Sequence, residues 1–122
     1  MAINYVEAGE SKTWTNGTGS DVSSGDVVPI GQRLAVALVD IANGASGAVK
    51  FMGVFTVPKV SAAVIAEGET LTWDVSAGAF DDNAATPATG DLTGAPAVAF
   101  EAAGNGVTSF DVYFTGVPGT VA

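Results

Sequence analysis

The chain has 122 residues, which fits a single domain with a modest core. It carries 13 acidic and 4 basic side chains, a net charge of −9, so it repels nucleic-acid phosphates and anionic membranes, and we expect neither as a partner. It has no histidine and no cysteine, which excludes a Ser-His-Asp triad, a thiol nucleophile and the commonest zinc ligands.

The elements predicted along the chain are short strands, because 16 glycines and many β-branched residues disfavour helix interiors. Apolar runs bounded by turn residues predict strands at 3–6, 12–15, 26–30, 34–41, 49–57, 69–75, 96–101 and 107–114. Residues 61–67 are compatible with one short helix, a loop or another strand. Residues 76–94 show no periodicity, and we expect a long, exposed acidic loop there.

Two parts of the chain repeat one pattern. Residues 35–55 and 97–114 both begin with Ala-Val-Ala and a large apolar residue, then pass through glycines into a second strand. A glycine and an acidic residue precede each part, at 25–26 and at 68–69. The duplication and the regular turns predict a single all-β domain over residues 1–122. We expect a small antiparallel β-sandwich or barrel built from two related halves, with at most one short helix.

The acidic side chains of the long loop are the local candidates for chemistry. Two carboxylates can hydrolyse a glycoside without histidine, but Asp81, Asp82 and Asp91 have no aromatic platform beside them to form a cleft. Their spacing also departs from the calcium-binding EF-hand pattern. Residues 44–50 contain glycines and a lysine but lack the Gly-Lys-Ser/Thr ending of a phosphate-binding loop. We therefore expect no catalytic residue, no metal site and no cofactor.

Candidate partner-binding residues lie near the N-terminus. The arm formed by residues 1–8 is apolar enough to dock on a partner and would otherwise be loosely held. Both tryptophans, Trp14 and Trp73, lie in Thr-rich alternating strands, where core packing is the favoured reading and an interface hot spot is the alternative. The residues predicted to contact a partner are Ile3, Asn4, Tyr5, Val6 and Trp14.

An ordered series of short motifs resembles the DUF2190 family of tailed-phage capsid cement (decoration) proteins. The most specific motifs are 53–59 (GVFTVPK) and 68–74 (GETLTWD). The weaker ones, in chain order, are 4–6 with 9–10, 24–28 before Gly31, 35–37, 97–102 and 112–114. The series covers most of the chain and departs from the family pattern at 79–93, which is longer and more acidic.

The resemblance implies a structural virion protein that binds the outer surface of a phage head and stabilises contacts between major capsid subunits. It implies no active site and no cofactor. It also implies a homo-oligomer, with a trimer as first choice and a dimer as second, that is made in the host cytoplasm and located on the capsid surface.

Two other functions stay open on the residues alone. A carbohydrate- or receptor-binding β module of a phage fibre or adhesin predicts an exposed aromatic platform at Trp14 or Trp73. An enzyme that uses acids alone predicts a cleft containing two carboxylates whose pKa values are raised.

Overall fold

The protein is built from strands that form three antiparallel sheets. The computed structural model describes residues 3–4 and 6–122. That part of the chain contains no helix, and therefore none long enough to cross a membrane. Its strands are β1 (Ser11–Thr15), β2 (Val27–Ile30), β3 (Arg33–Ala37), β4 (Ser46–Lys50), β5 (Met52–Pro58), β6 (Thr72–Asp74), β7 (Ala79–Asp81), β8 (Leu92–Thr93), β9 (Ala97–Ala99), β10 (Ser109–Thr115) and β11 (Thr120–Val121). The predicted all-β class is confirmed.

The sheets follow the duplication. The first sheet has the strand order β1-β4-β3-β2, the second has β5-β10-β9, and the third has β11-β8-β6-β7. We call residues 11–51 the first repeat, and residues 54–73 with 95–114 the second repeat. The two differ most at residues 74–94, called the insertion, which stand where the first repeat has only the turn at 31–32.

Equivalent hydrogen bonds define the two repeats. The Gly25 N–H donates to the carbonyl of Ala37 at 2.7 Å, and the Gly68 N–H donates to the carbonyl of Ala99 at 2.8 Å. Both glycines adopt a positive φ, 91° and 81°, which other residues reach only with strain. The repeated Gly-acid and Ala-Val-Ala motifs therefore mark the same turn and the same strand in each half, as predicted from the sequence.

The core consists of two buried clusters, and β3 contributes to both because its side chains alternate between its two faces. Leu34 and Val36 belong to the larger cluster, which contains the interior of the second repeat. Ala35 and Ala37 belong to the smaller cluster, which fills the first repeat. The back of the first sheet therefore packs towards the second repeat.

The insertion supplies the centre of the larger cluster. Phe80, on β7, is fully buried. Its ring makes edge-to-face contacts with the rings of Trp73, Phe114 and Phe110, at centroid distances of 4.9, 5.9 and 6.3 Å. The prediction of one exposed loop over 76–94 is therefore wrong: β7 and β8 lie within this segment, and Phe80 and Leu92 join it to the larger core cluster.

Two further expectations are corrected, and one open alternative is decided. The apolar run predicted as one strand over 49–57 is divided at Phe51, and its halves, β4 and β5, lie in different sheets. The strand predicted over 34–41 ends at Ala37, after which Leu38 and Val39 are exposed. No helix forms at 61–67, where a turn and an isolated bridge occur instead.

The predicted first strand at 3–6 is not formed by the residues that the structure describes. Ile3 and Asn4 lie in a turn, and Val6 lies outside any strand. Tyr5 lies outside the described residues.

Candidate docking surfaces

An apolar row crosses the outer face of the second sheet. Tyr113 on β10 lies opposite Val54 on β5 and opposite Val98 on β9, so the three side chains share one face. Phe100 follows Val98 by two residues and lies on the same face. Val54, Phe100 and Tyr113 are 44%, 51% and 39% exposed, and Val98 is half-buried. We call these four residues the outer patch.

The border of the outer patch is polar and acidic. In the next cross-strand row the Thr56 hydroxyl donates to the Asp111 carboxylate at 2.6 Å. Glu101 is exposed directly after Phe100. The outer patch therefore combines apolar side chains at its centre with negative charge at its edge.

The equivalent face of the first repeat has a different chemistry. Lys50 lies opposite Ser11 and Val36, as Tyr113 lies opposite Val54 and Val98. Val36 is buried in the larger core cluster, so this part of the face is covered by the rest of the molecule. Of the other positions, Ser11 and Lys50 are polar, while Leu38, the equivalent of Phe100, is apolar and 41% exposed. The first repeat therefore exposes one apolar side chain on this face instead of a row.

Charge is also divided unequally between the two halves. Within residues 11–50, three basic side chains, Lys12, Arg33 and Lys50, balance three acidic ones. Residues 51–122 contain eight acidic side chains and one basic one, Lys59. Lys59 is 3% exposed, and its ammonium group donates to the carbonyls of Val60, Ser61 and Val107 at 2.8, 3.2 and 3.1 Å. The surface of the second half is therefore strongly negative.

The partner-binding residues predicted from the sequence are not brought into one site. Ile3 and Val6 are 102% and 89% exposed, and Asn4 is also exposed. Trp14 is half-buried and packs against the smaller core cluster. The role of these residues in partner binding stays a prediction. Tyr5, which the prediction also includes, lies outside the described residues.

Sequence reasoning missed the outer patch. A signal was present in the run 112–114, where apolar or aromatic residues occupy both strand parities rather than alternating with polar ones. In the structure Val112 and Phe114 face the core while Tyr113 faces solvent.

The acidic residues of the insertion hold turns together. The buried Asp91 carboxylate accepts hydrogen bonds from the N–H groups of Val75 and Ala88, at 3.1 and 2.9 Å. A hydrogen bond from the Ser76 hydroxyl, helped by the Ala77 N–H, holds the pKa of Asp74 below its ordinary value. Among the described residues, no group of three or more His, Cys, Asp or Glu side chains is placed to hold a metal ion.

A shallow cleft of about 300 Å³ lies between the repeats. Val22 and Val27 line one side, and Pro58 and Trp73 line the other. Asp26 is the one ionisable residue in this lining, and its carboxylate accepts the Ser23 N–H at 2.9 Å. The cleft therefore lacks the carboxylate pair that the acid-only enzyme predicts.

The chain matches a family of known proteins. A family model described as "Phage cement protein" matches residues 6–114, which include both repeats and the insertion. None of the curated proteins compared with the chain matches it.

Proposed function

Because the chain belongs to the phage cement protein family, we propose that it binds the outer surface of a phage head and stabilises contacts between neighbouring major capsid subunits. The family match over residues 6–114 carries this proposal. A cement protein has a structural role in the phage capsid, and the virion is its location. The finer statements, namely the outer surface, the subunit contacts and synthesis in the host cytoplasm, are part of the proposal.

The architecture is suited to this role. Two buried clusters joined through β3 make a small, stiff scaffold, and stiffness limits the entropy lost when a protein is fixed on a surface. Many weak contacts repeated over a shell also reinforce it, because attachment at several points is multivalent. We propose a structural rather than a catalytic protein, with the major capsid protein as its partner.

The test is co-sedimentation with heads of the corresponding phage that have been stripped of, or assembled without, this protein. We expect binding at micromolar concentration and, after binding, greater resistance of the heads to heat. Heads that contain the protein already serve as the saturated control. No binding at micromolar concentration would exclude the proposal.

The N-terminal arm, residues 1–8, is proposed as one attachment element. Ile3 and Val6 are almost fully exposed large apolar residues, which gain stability by burial in a partner. Deletion of residues 2–8 should weaken binding to heads while leaving the unfolding transition of the free protein in place, because neither residue joins a core cluster. Unchanged binding would contradict this part of the proposal.

We also propose a homo-oligomer, with a trimer as first choice and a dimer as second. Oligomers on local symmetry axes of a head contact several capsid subunits at once, which is the arrangement that cementing needs. Light scattering during size-exclusion chromatography measures the mass directly.

The rival carbohydrate- or receptor-binding reading has less support. It requires an exposed aromatic platform at Trp14 or Trp73, but Trp73 is 5% exposed and packs edge-to-face on Phe80. Trp14 packs against a core cluster.

A further inference from the structure

We propose that the outer patch, Val54, Val98, Phe100 and Tyr113, is the face that docks on the head. We further propose that its partner is a region of the major capsid protein where apolar side chains are surrounded by Lys and Arg. This inference rests on the proposed function and deepens it, because it assigns the docking face and the chemistry of the partner.

The two repeats provide an internal control for the patch. At equivalent positions of their two sheets, the first repeat has Ser11 and Lys50 where the second has Val54 and Tyr113. The fold therefore tolerates polar residues at these positions. Val54 and Tyr113 stay 44% and 39% exposed in the folded chain, so the row leaves apolar area that only a partner can cover, and this indicates a use in addition to stability.

The geometry of the patch favours binding. Val54, Val98 and Tyr113 lie on three hydrogen-bonded strands, and Phe100 directly follows one of them, with its N–H donating to the carbonyl of Asp111 at 3.1 Å. The patch is therefore held in place before any partner arrives. Tyr and other large aromatic residues contribute strongly at interface centres, and they lose few rotatable bonds when fixed. The apolar centre and polar border match the anatomy of protein interfaces.

Charge selects the partner. Asp111 and Glu101 border the patch. Residues 51–122 expose no basic side chain, because their one basic residue, Lys59, is buried. Two copies that met patch to patch would place these carboxylates near one another, which is unfavourable. A surface with Lys and Arg around an apolar centre is the complement, so we assign the patch to the capsid rather than to a second copy.

The decisive variant transfers the face of the first repeat onto the second. Val54→Ser with Tyr113→Lys introduces residues that the equivalent positions already hold, so the variant should keep the fold. We expect its affinity for cement-free heads to fall by at least about tenfold, the size expected when interface hot spots are lost. The matched control, Val64→Ser with Val117→Lys, introduces the same two residues at exposed valines outside the patch and should bind like the unmodified protein.

A second measurement tests the assigned charge. Glu101→Lys should slow association with the heads, and rising salt should slow the unmodified protein more than this variant, because screening removes steering. A Glu101→Lys protein that associates as fast as the unmodified protein at low salt would overturn the assigned partner chemistry.

The outcomes separate the two proposals. If the unmodified protein fails to bind heads, both proposals are overturned. If it binds and the double variant, shown to be folded by circular dichroism, binds equally well, the patch is not the docking face although the proposed function stands. If the double variant instead loses mass in light scattering, the patch is a contact between copies of the chain, and the inference is wrong.

Discussion

The first repeat covers its inner aromatic residue with a charged side chain, whereas the second repeat covers its own with an inserted hairpin. The Arg33 guanidinium lies 3.8 Å from the ring centre of Phe51. The equivalent residue in the second repeat, Phe114, instead contacts the rings of Phe80 and Phe55, at 5.9 and 5.8 Å. One backbone frame thus supports two solutions to the same packing problem, and only the second adds a new sheet.

The outer faces of the repeats differ as well. The first repeat uses part of its outer face inside the molecule, where Leu34 and Val36 join the larger cluster. The second repeat leaves the equivalent face uncovered, with Phe100 and Tyr113 in solvent. Duplication of a sheet within one chain therefore produces one copy whose face is used internally and one whose face is free for a partner.

The largest expected effect comes from removing the inserted aromatic residue. Phe80→Ala should lower the free energy of unfolding by about 3–5 kcal/mol, because it leaves a cavity among Trp73, Phe110 and Phe114. Arg33→Ala, the corresponding change in the first repeat, should cost about 1 kcal/mol, since it removes one cation–π contact. Urea unfolding followed by tryptophan fluorescence measures both losses. Equal losses would show that the two ways of covering the core are energetically alike.

An effect of intermediate size tests whether a large residue at one core position is matched by a small residue at its neighbour in each repeat. A Cβ atom at Gly47 would lie 2.6 Å from Ile41 Cγ1, so Gly47→Ala should cost about 1–3 kcal/mol by overpacking. The second repeat has Phe110 and Ala103 at the equivalent positions, with the large and small residues exchanged. We therefore expect the two changes to compensate when they are combined. The double variant Gly47→Ala with Ile41→Ala should lose less stability than the two single losses added together, by at least about 1 kcal/mol. Simple additivity in the same unfolding experiment would contradict this compensation.

The smallest expected effect belongs to the turn that only the second repeat contains. The Ser76 hydroxyl and the Ala77 N–H lower the pKa of Asp74, so the ionised carboxylate stabilises the folded state. This contribution is fully present above the ordinary pKa near about 4 and is lost as the pH falls through the lower folded value. Because the group is exposed, Asp74→Asn should cost less than about 1 kcal/mol at neutral pH. The difference from the unmodified protein should shrink as the pH falls through the lowered pKa of the folded state. A difference that stays constant as the pH is lowered from neutral through that pKa would assign the effect to something other than this charge.

The sequence-based predictions succeeded where a signal was local. The Gly-acid turns and the Ala-Val-Ala strands were predicted as repeated elements, and Gly25 and Gly68 make equivalent bonds. The strand predicted over 49–57 ends within one residue of the end of β5 at Pro58. The resemblance to phage cement proteins, which depended on short motifs in order along the chain, is confirmed by the family match.

The failures have a common physical cause. The run 49–57 is apolar almost throughout and has only Gly53 as a turn residue, so its pattern did not reveal that the chain leaves one sheet at Phe51 and enters another. The segment 76–94 is rich in polar residues and turns, and Phe80 and Leu92 make it part of the larger core cluster. A buried aromatic side chain does not create a periodic pattern in the sequence, but it is large enough to hold a hairpin against the core.

The sequence by itself determined the all-β class, the duplication and the negative charge, because these depend on residue composition and on local turn and strand preferences. Only the tertiary structure decided which copies of each repeated position are buried. Val36 and Val98 occupy equivalent places in nearly identical motifs, yet one lies in the core and the other belongs to the outer patch. The reason is that burial depends on what packs against a face, and that contact involves residues far away in the chain.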